Sequence, residues 1–501
     1  MRLEPFSQDT MPNPVAGGAT LDSVLSLNAR RRPRADALID SRLPFPSTWA
    51  EVDRAVSALA SVFASWKLGE DAVVGVQLGS SFEGALTCLA LWRAGLIAAM
   101  LPTAWRRRET ARALAAVKAA AIVTLSEGGG ARLAEIACEV AAGLETMRYV
   151  GCFGAAPDGA TRLDDYLLKR ADASYARRPG AADHVAIITF EVGGAPAPRS
   201  HNDLVAAGVG PLLVAEVTEK ARLFSTLDLA SLAGLCTGLA PWLTTGAVAC
   251  FHEPTTTAAF AAAAAALGAT HVVLPGRIAD RLAADGALDR AAPSTVLAVW
   301  RAPEGRGVAR PVPLEGATVV DVLLIGELAV LASPRPAPNR HAPLPLGPHA
   351  VGGLDPLVDL RVLQDGRLFV RGPACPQAAY PAEPGEPSLP FSADGYIETG
   401  LAGIADRAAG RTALGGLRRG VAMVGGLAIS MADATAAARG TGLRGALVVE
   451  DDPVFGLRFA LKAADGADAS VEAAALALDL AGFGPALAPV AIRAESARRT
   501  A

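Results

Sequence analysis

The sequence has no CxxC pair, and none of its six cysteines (88, 138, 152, 236, 250 and 375) has a histidine at metal-ligand spacing. That argues against a zinc site and against the disulfide framework of a small secreted domain. Charge of one sign is also missing: 46 Lys and Arg stand against 50 Asp and Glu, a net −4. No global basic field points to nucleic acid or an anionic membrane. The short runs Arg30-Arg31-Arg32 and Arg106-Arg107-Arg108 are read as solvated faces. Lysine is rare beside arginine and alanine is abundant, which reflects a GC-rich coding bias and carries no functional signal. The opening MRLEPFSQDTMPNP lacks the apolar core of a signal peptide. Leu229 to Phe251 is uncharged and long enough to span a membrane, but Pro241 and a TTG turn interrupt it. A buried helix, a turn and a strand are expected there, and a cytoplasmic location for the protein. No GxSxG elbow occurs, and no GxGxxG opens a helix after a strand.

What is present is alternation. A length of 501 residues suits one large multi-lobed unit plus a smaller domain. STWAEVDRAVSALASVFASW predicts a helix, with Thr48 and Glu51 as a capping box and Val52, Val56, Leu59, Phe63 and Trp66 on one face. DAVVGVQL, LIAAMLP and AAIVTL predict buried strands separated by helices, the signature of a parallel sheet covered on both faces. HVAIITF, ARLFSTL, GAVACF and THVVLP continue the pattern, and FAAAAAALGA is helical by propensity. Residues 302–356 read as Pro- and Gly-rich loops around short strands such as TVVDVLLI. From LRVLQDGRLFVRGP the period falls to two, which predicts a small antiparallel unit. GGLRRG, Gly415 to Gly420, is the candidate linker to a small α+β domain.

The order and spacing of these pieces resemble the adenylate-forming superfamily: acyl-CoA synthetases, luciferases and adenylation domains. GRLFVRGPACPQAAY resembles its "GELxVxGPxxxxGY" strand pair, keeping Gly366, Leu368, Val370, Gly372, Pro373 and Tyr380. DGYIETGL resembles "GWxxTGD", and LRRGVAMVGGLAIS resembles the lead into the family's small mobile domain. The resemblance implies an α/β fold with a large AMP-binding-like domain over 1–416: parallel sheets flanked by helices, plus a barrel-like antiparallel unit. A small C-terminal domain over 417–501 would follow, ending before the family's catalytic lysine. It also implies the chemistry: a carboxylate attacks ATP, and a thiol of coenzyme A or phosphopantetheine takes the acyl group. ATP and Mg²⁺ are the implied cofactors. A carboxylic acid (a fatty acid among the candidates), an acyl thioester and an acyl carrier protein are the implied partners.

Set against T-S-G-[ST]-T-G-x-P-K-G-V-x-H, the stretch TFEVGGAPAPRSH keeps Thr189, Gly194, Pro196 and His201. Phe190, Glu191, Val192, Gly193, Ala197 and Pro198 replace the hydroxyls, a glycine, the lysine and the last glycine. Glu191 would set a carboxylate beside a triphosphate, and two unit charges about 4 Å apart repel by roughly 4 kcal/mol near a surface. Losing one preorganised donor costs roughly 3 kcal/mol of transition-state stabilisation. VVDVLLIGELAV keeps Glu327 as the acid that helps to hold Mg²⁺ in the family, and Leu401 follows Thr399-Gly400 where the ribose aspartate would stand. Gly416-Leu417 replaces the Gly-Arg pair before the hinge, and the last lysine is Lys462, inside a strand.

The site residues implied are therefore Glu327 and His201 as catalytic helpers, with Glu327 also toward the metal. Thr189, Gly193, Gly194, Arg199 and Thr399 would lie toward the nucleotide, Arg199 supplying a cation from a displaced position. His201 could equally cap the following helix. STLDLASLAGL would be a small aliphatic wall of the acid pocket with Asp228 as its polar exception. These departures predict an acyl-CoA-synthetase-like protein whose ATP-dependent activity is weak or lost. The alternative is a pseudoenzyme that binds an acyl group, a carrier or another partner.

Overall fold

Short apolar runs of the first third become strands buried on both faces, as a parallel sheet between helix layers requires. This computed structural model describes residues 1–7, 10–170, 180–254, 256–301, 313–314, 316–338, 340–415, 420–463 and 470–494. The first sheet is built from β1 (Val73–Gln77), β2 (Ile97–Met100), β3 (Ala121–Leu125), β4 (Tyr149–Phe153), β5 (Ala160–Arg162), β6 (Val185–Phe190) and β7 (Pro196–Ser200). Their order is β5-β4-β3-β1-β2-β6-β7, and every neighbour is parallel except the last pair. Helices α1 (Leu21–Arg31), α2 (Trp49–Ser65), α3 (Phe82–Arg93), α4 (Arg107–Ala116), α5 (Leu133–Gly143) and α6 (His201–Val214) accompany it. Thr48 caps α2 by accepting the Glu51 N–H, but the Glu51 carboxylate turns to Arg54 at 2.7 Å. The carboxylate half of the expected capping box is thus spent on an ion pair. Trp49 of α2 stacks on Trp242 with ring centroids 5.5 Å apart, at the centre of the largest apolar core.

The second sheet contains β8 (Arg222–Ser225), β9 (Val248–Phe251), β10 (His271–Pro275), β11 (Thr295–Arg301), β12 (Thr318–Ile325) and β13 (Ala329–Pro334). Its order is β13-β12-β11-β10-β8-β9, again parallel except for the terminal hairpin. The uncharged stretch before β9 forms short buried helical turns over residues 232–245, and Pro241 opens the last of them. Among the described residues no helix is long and apolar enough to cross a membrane.

The period of two is borne out by a third, antiparallel sheet, whose longest strand, Ile397–Asp406, alternates buried and outward residues over most of its length. A fourth sheet of five strands carries the helices Met431–Gly440 and Val471–Leu480 and forms the C-terminal α+β part. The fold is the expected α/β arrangement: parallel sheets flanked by helices, an antiparallel unit and a small α+β part. Residues 416–419, with the Gly416-Leu417 pair and the centre of the linker candidate, lie outside the described residues, as do 495–501.

Candidate functional site

The quoted loop is smaller than its sequence suggests. Pro196–Ser200 is strand β7, antiparallel to β6, so the turn proper is only Glu191 to Ala195. Prolines are tolerated because β7 is the edge of its sheet, where a missing N–H breaks no ladder. Gly193 and Gly194 turn the chain at φ +80° and +85°. Glu191 is buried, and its carboxylate points inward across the turn: Oε1 accepts the Val192 N–H at 2.8 Å and Oε2 the Glu327 N–H at 2.6 Å.

That second bond ties the first hairpin to the second. Gly326, at φ +55°, leaves room for the Glu191 carboxylate; a Cβ there would collide with Oε2. Glu327 is itself buried, its Oε1 accepting from Arg301 Nη2 at 3.0 Å and its Oε2 from the Leu232 N–H at 2.6 Å. Burial pushes the Glu327 carboxyl up, and Arg301 and the Leu232 N–H oppose the shift. Arg199 is the staple beneath both turns: Nη1 donates to Thr189 Oγ1 at 3.3 Å and Nη2 to the carbonyls of Glu327 at 2.5 Å and Leu328 at 3.2 Å. It is 1% exposed, so it offers no cation to a ligand; this corrects the role expected for it.

A cavity of about 870 Å³ opens beside the two turns. Met100, Trp105, Phe190, Leu227 and Val299 make an apolar wall, and the expected segment contributes Thr226, Leu227, Asp228, Ala230, Ser231 and Ala233. Asp228 accepts the Ala230 N–H at 2.8 Å and faces Glu253. Removal from water, then the Glu253 charge, push its carboxyl up to about 7.

Of the residues singled out by sequence, Gly193, Gly194 and Glu327 line this cavity, while Thr189, Arg199, His201 and Thr399 do not. Thr189 is fully buried under Arg199. His201 is buried edge-on to Trp92, its Nδ1 accepts the Leu21 N–H at 3.3 Å at the start of α1, and burial pulls its pKa down to about 4. It is a neutral structural imidazole, and Ser200 with Asp203, not His201, caps α6. Thr399 Oγ1 donates to the Leu368 carbonyl at 2.8 Å and accepts the Leu401 N–H, while Leu401 sits in the core.

Sequence reading missed the charged partners. Arg106 is buried, donating to the carbonyls of Thr103, Trp105 and Gly129, and Arg108 donates to Ala481 O and covers the Phe483 ring at 4.8 Å. The run read as a solvated face is the seat of the C-terminal part, fixed further by the Gly484 N–H on Glu109 Oε1 at 2.8 Å. Met423, Gly425, Leu427 and Phe455 of that part close the cavity. Arg301 and Arg112 also line it, and no motif in the sequence pointed to either.

The implied cofactors fit these residues poorly. Both oxygens of Glu327 are already held by a guanidinium and a backbone N–H, and no group of three His, Cys, Asp or Glu able to hold a metal occurs among the described residues. The Val192 and Glu327 N–H groups, which could face a phosphate, are occupied by Glu191. Leu401, after Thr399-Gly400, is a buried core residue with no side-chain acceptor to offer a ligand.

The family model for the AMP-binding enzyme matches residues 25–333. No curated protein matches the sequence. Among solved structures, apo MbtA from Mycobacterium smegmatis is 21% identical with a TM-score of 0.66, covering 96% of this chain and 92% of its own. The amide bond synthetase McbA from Marinactinospora thermotolerans is 18% identical with a TM-score of 0.73, covering 95% and 96%. The o-succinylbenzoate CoA synthetase MenE from Bacillus subtilis, bound with the product analogue OSB-NCoA, is 14% identical at 0.73, covering 96% and 95%. At such identities the likeness is one of fold.

Proposed function

The chain belongs to the family of AMP-binding enzymes, and from that premise we propose that it is an acyl-CoA-synthetase-like protein that binds a carboxylic acid or the acyl part of a thioester, with ATP-dependent activation weak or lost. The observation that carries this reading is the place of Glu191. Its carboxylate takes two backbone N–H groups at the turn beside the cavity, so an internal anion stands where a phosphate oxygen would be received. Displacing it would break two hydrogen bonds of a buried carboxylate, which is costly. The cavity itself is roomy and walled by apolar side chains, as an acyl group requires. In the limiting form the protein is a pseudoenzyme that presents an acyl group to a carrier protein or another partner, within the proposed division of a large domain over 1–416 and a small one over 417–501.

The test is calorimetric titration with Mg-ATP, followed by ATP–pyrophosphate exchange across aliphatic and aryl acids, then titration with acyl-CoA. We expect no exchange and measurable acyl thioester binding. Micromolar ATP affinity or clear exchange with any acid would overturn the reading.

A further inference from the structure

Of the large apolar side chains that stand exposed among the described residues, Phe455 alone lines the cavity. It is 42% exposed and sits in the turn between the strands Gly445–Asp452 and Gly456–Ala463 of the C-terminal part. That turn holds the ring in place. Asp452 Oδ1 accepts the Val454 N–H at 2.8 Å and the Phe455 N–H at 2.7 Å, which fixes the backbone that carries it. The Arg458 guanidinium covers the ring at 4.1 Å from the centroid, and Arg458 Nε stands 3.8 Å from Asp452 Oδ2. The Phe455 carbonyl accepts the Gly425 N–H at 3.0 Å, and a Cβ on Gly425 would lie 2.9 Å from the ring. Glycine at 425, at φ +57°, is what lets the ring lie against the neighbouring turn. The next residue, Gly426, packs on Arg301, so the ring stands one turn away from the Arg301–Glu327 pair.

A large apolar side chain left in water forgoes the stabilisation of its burial, and a ligand in the cavity would restore it. The opposite wall is apolar too, with Met100, Trp105 and Phe190, and Met423 and Leu427 flank the ring on its own side. A cavity of about 870 Å³ exceeds what one aryl ring fills, whereas a flexible chain can follow the apolar lining from one part to the other. We propose that Phe455 is a specificity-determining residue for the acyl ligand: it receives the distal end of an aliphatic chain of medium length or longer, and the C-terminal part thereby supplies one wall of the acyl site. The proposal rests on the acyl-binding reading above and adds the class of acyl group and the residue that selects it. Because the chain touches both parts, its binding also strengthens the docking of the C-terminal part.

The experiment titrates the full chain by calorimetry with hexanoyl-, octanoyl-, dodecanoyl- and benzoyl-N-acetylcysteamine, comparing wild type with Phe455→Ala and Phe455→Leu. Wild-type affinity should rise from hexanoyl to dodecanoyl. Phe455→Ala should bind the dodecanoyl thioester roughly 10-fold more weakly, the worth of one to two buried methylenes, and the hexanoyl thioester as wild type does. Phe455→Leu, which keeps an apolar side chain, should retain most of the dodecanoyl affinity. The unchanged hexanoyl affinity shows that the site is still folded. Equal dodecanoyl affinity in wild type and Phe455→Ala overturns the role of Phe455, as does an equal loss for hexanoyl. Benzoyl binding as tight as dodecanoyl overturns the aliphatic assignment. Failure of all four thioesters to bind wild type overturns the acyl reading and this proposal with it, an outcome distinct from binding that ignores residue 455.

Discussion

The two parallel sheets end in matching antiparallel hairpins, and each hairpin carries a glutamate at its turn: Glu191 between β6 and β7, Glu327 between β12 and β13. Their surroundings differ. Glu327 is neutralised by a cation, Arg301, and receives the Leu232 N–H at the start of a helical turn. Among the bonds described above, Glu191 takes backbone N–H groups, one from its own turn and one from Glu327. The second turn thus sets its carboxylate against a guanidinium and a helical N–H, and the first sets its carboxylate against two backbone N–H groups. Two hairpins of the same form can thus hold their glutamates in different ways, one by backbone N–H groups and one by a guanidinium.

The largest effect is expected at Glu327. Glu327→Ala leaves Arg301 and the Leu232 N–H facing a gap and should cost about 3–5 kcal/mol in urea unfolding; a loss below 1 kcal/mol would erase the difference between the turns. Next comes Gly326→Ala, which forces a Cβ at φ +55° into Glu191 Oε2 and should cost about 2 kcal/mol. Glu191→Ser in the same chain removes the obstacle, so the double variant should be more stable than the sum of the singles predicts. Strict additivity would show that the two turns do not press on one another.

The smallest effect concerns Asp228, whose carboxyl is pushed up by burial. Its folded carboxyl is pushed from 3.8 up to about 7, so over that window the folded state binds a proton that the unfolded state has released. Stability then falls as pH rises from 3.8 to about 7 and levels off above, and Asp228→Asn removes that slope, a difference of roughly 1–2 kcal/mol once water in the cavity is allowed for. Parallel stability–pH curves for the two proteins would show that Asp228 is ionised throughout.

Legibility follows the range of the interactions. The strands of both sheets are readable because burial on two faces demands uninterrupted apolar runs, and Val73–Gln77 or Val185–Phe190 can satisfy that only as inner strands. Strand β7 was hidden, since Pro-Ala-Pro reads as a turn until the edge position is known. His201 and Arg199 look like ligand-binding residues in a linear motif; in three dimensions they face α1 and the second hairpin. Arg108 looks solvated because its partner lies far along the chain, the Ala481 carbonyl being 373 positions away.

The amino-acid sequence by itself determined the alternating architecture, the antiparallel unit that follows it, and the residue types at the first hairpin turn. Those features are local: periodicity and residue chemistry are properties of a few adjacent positions. Only the tertiary structure decided where each carboxylate and guanidinium points. Burying a charge is unfavourable until a partner arrives: for Glu191 and Arg199 it comes from the second hairpin, and for Glu327 from Arg301 at the end of β11.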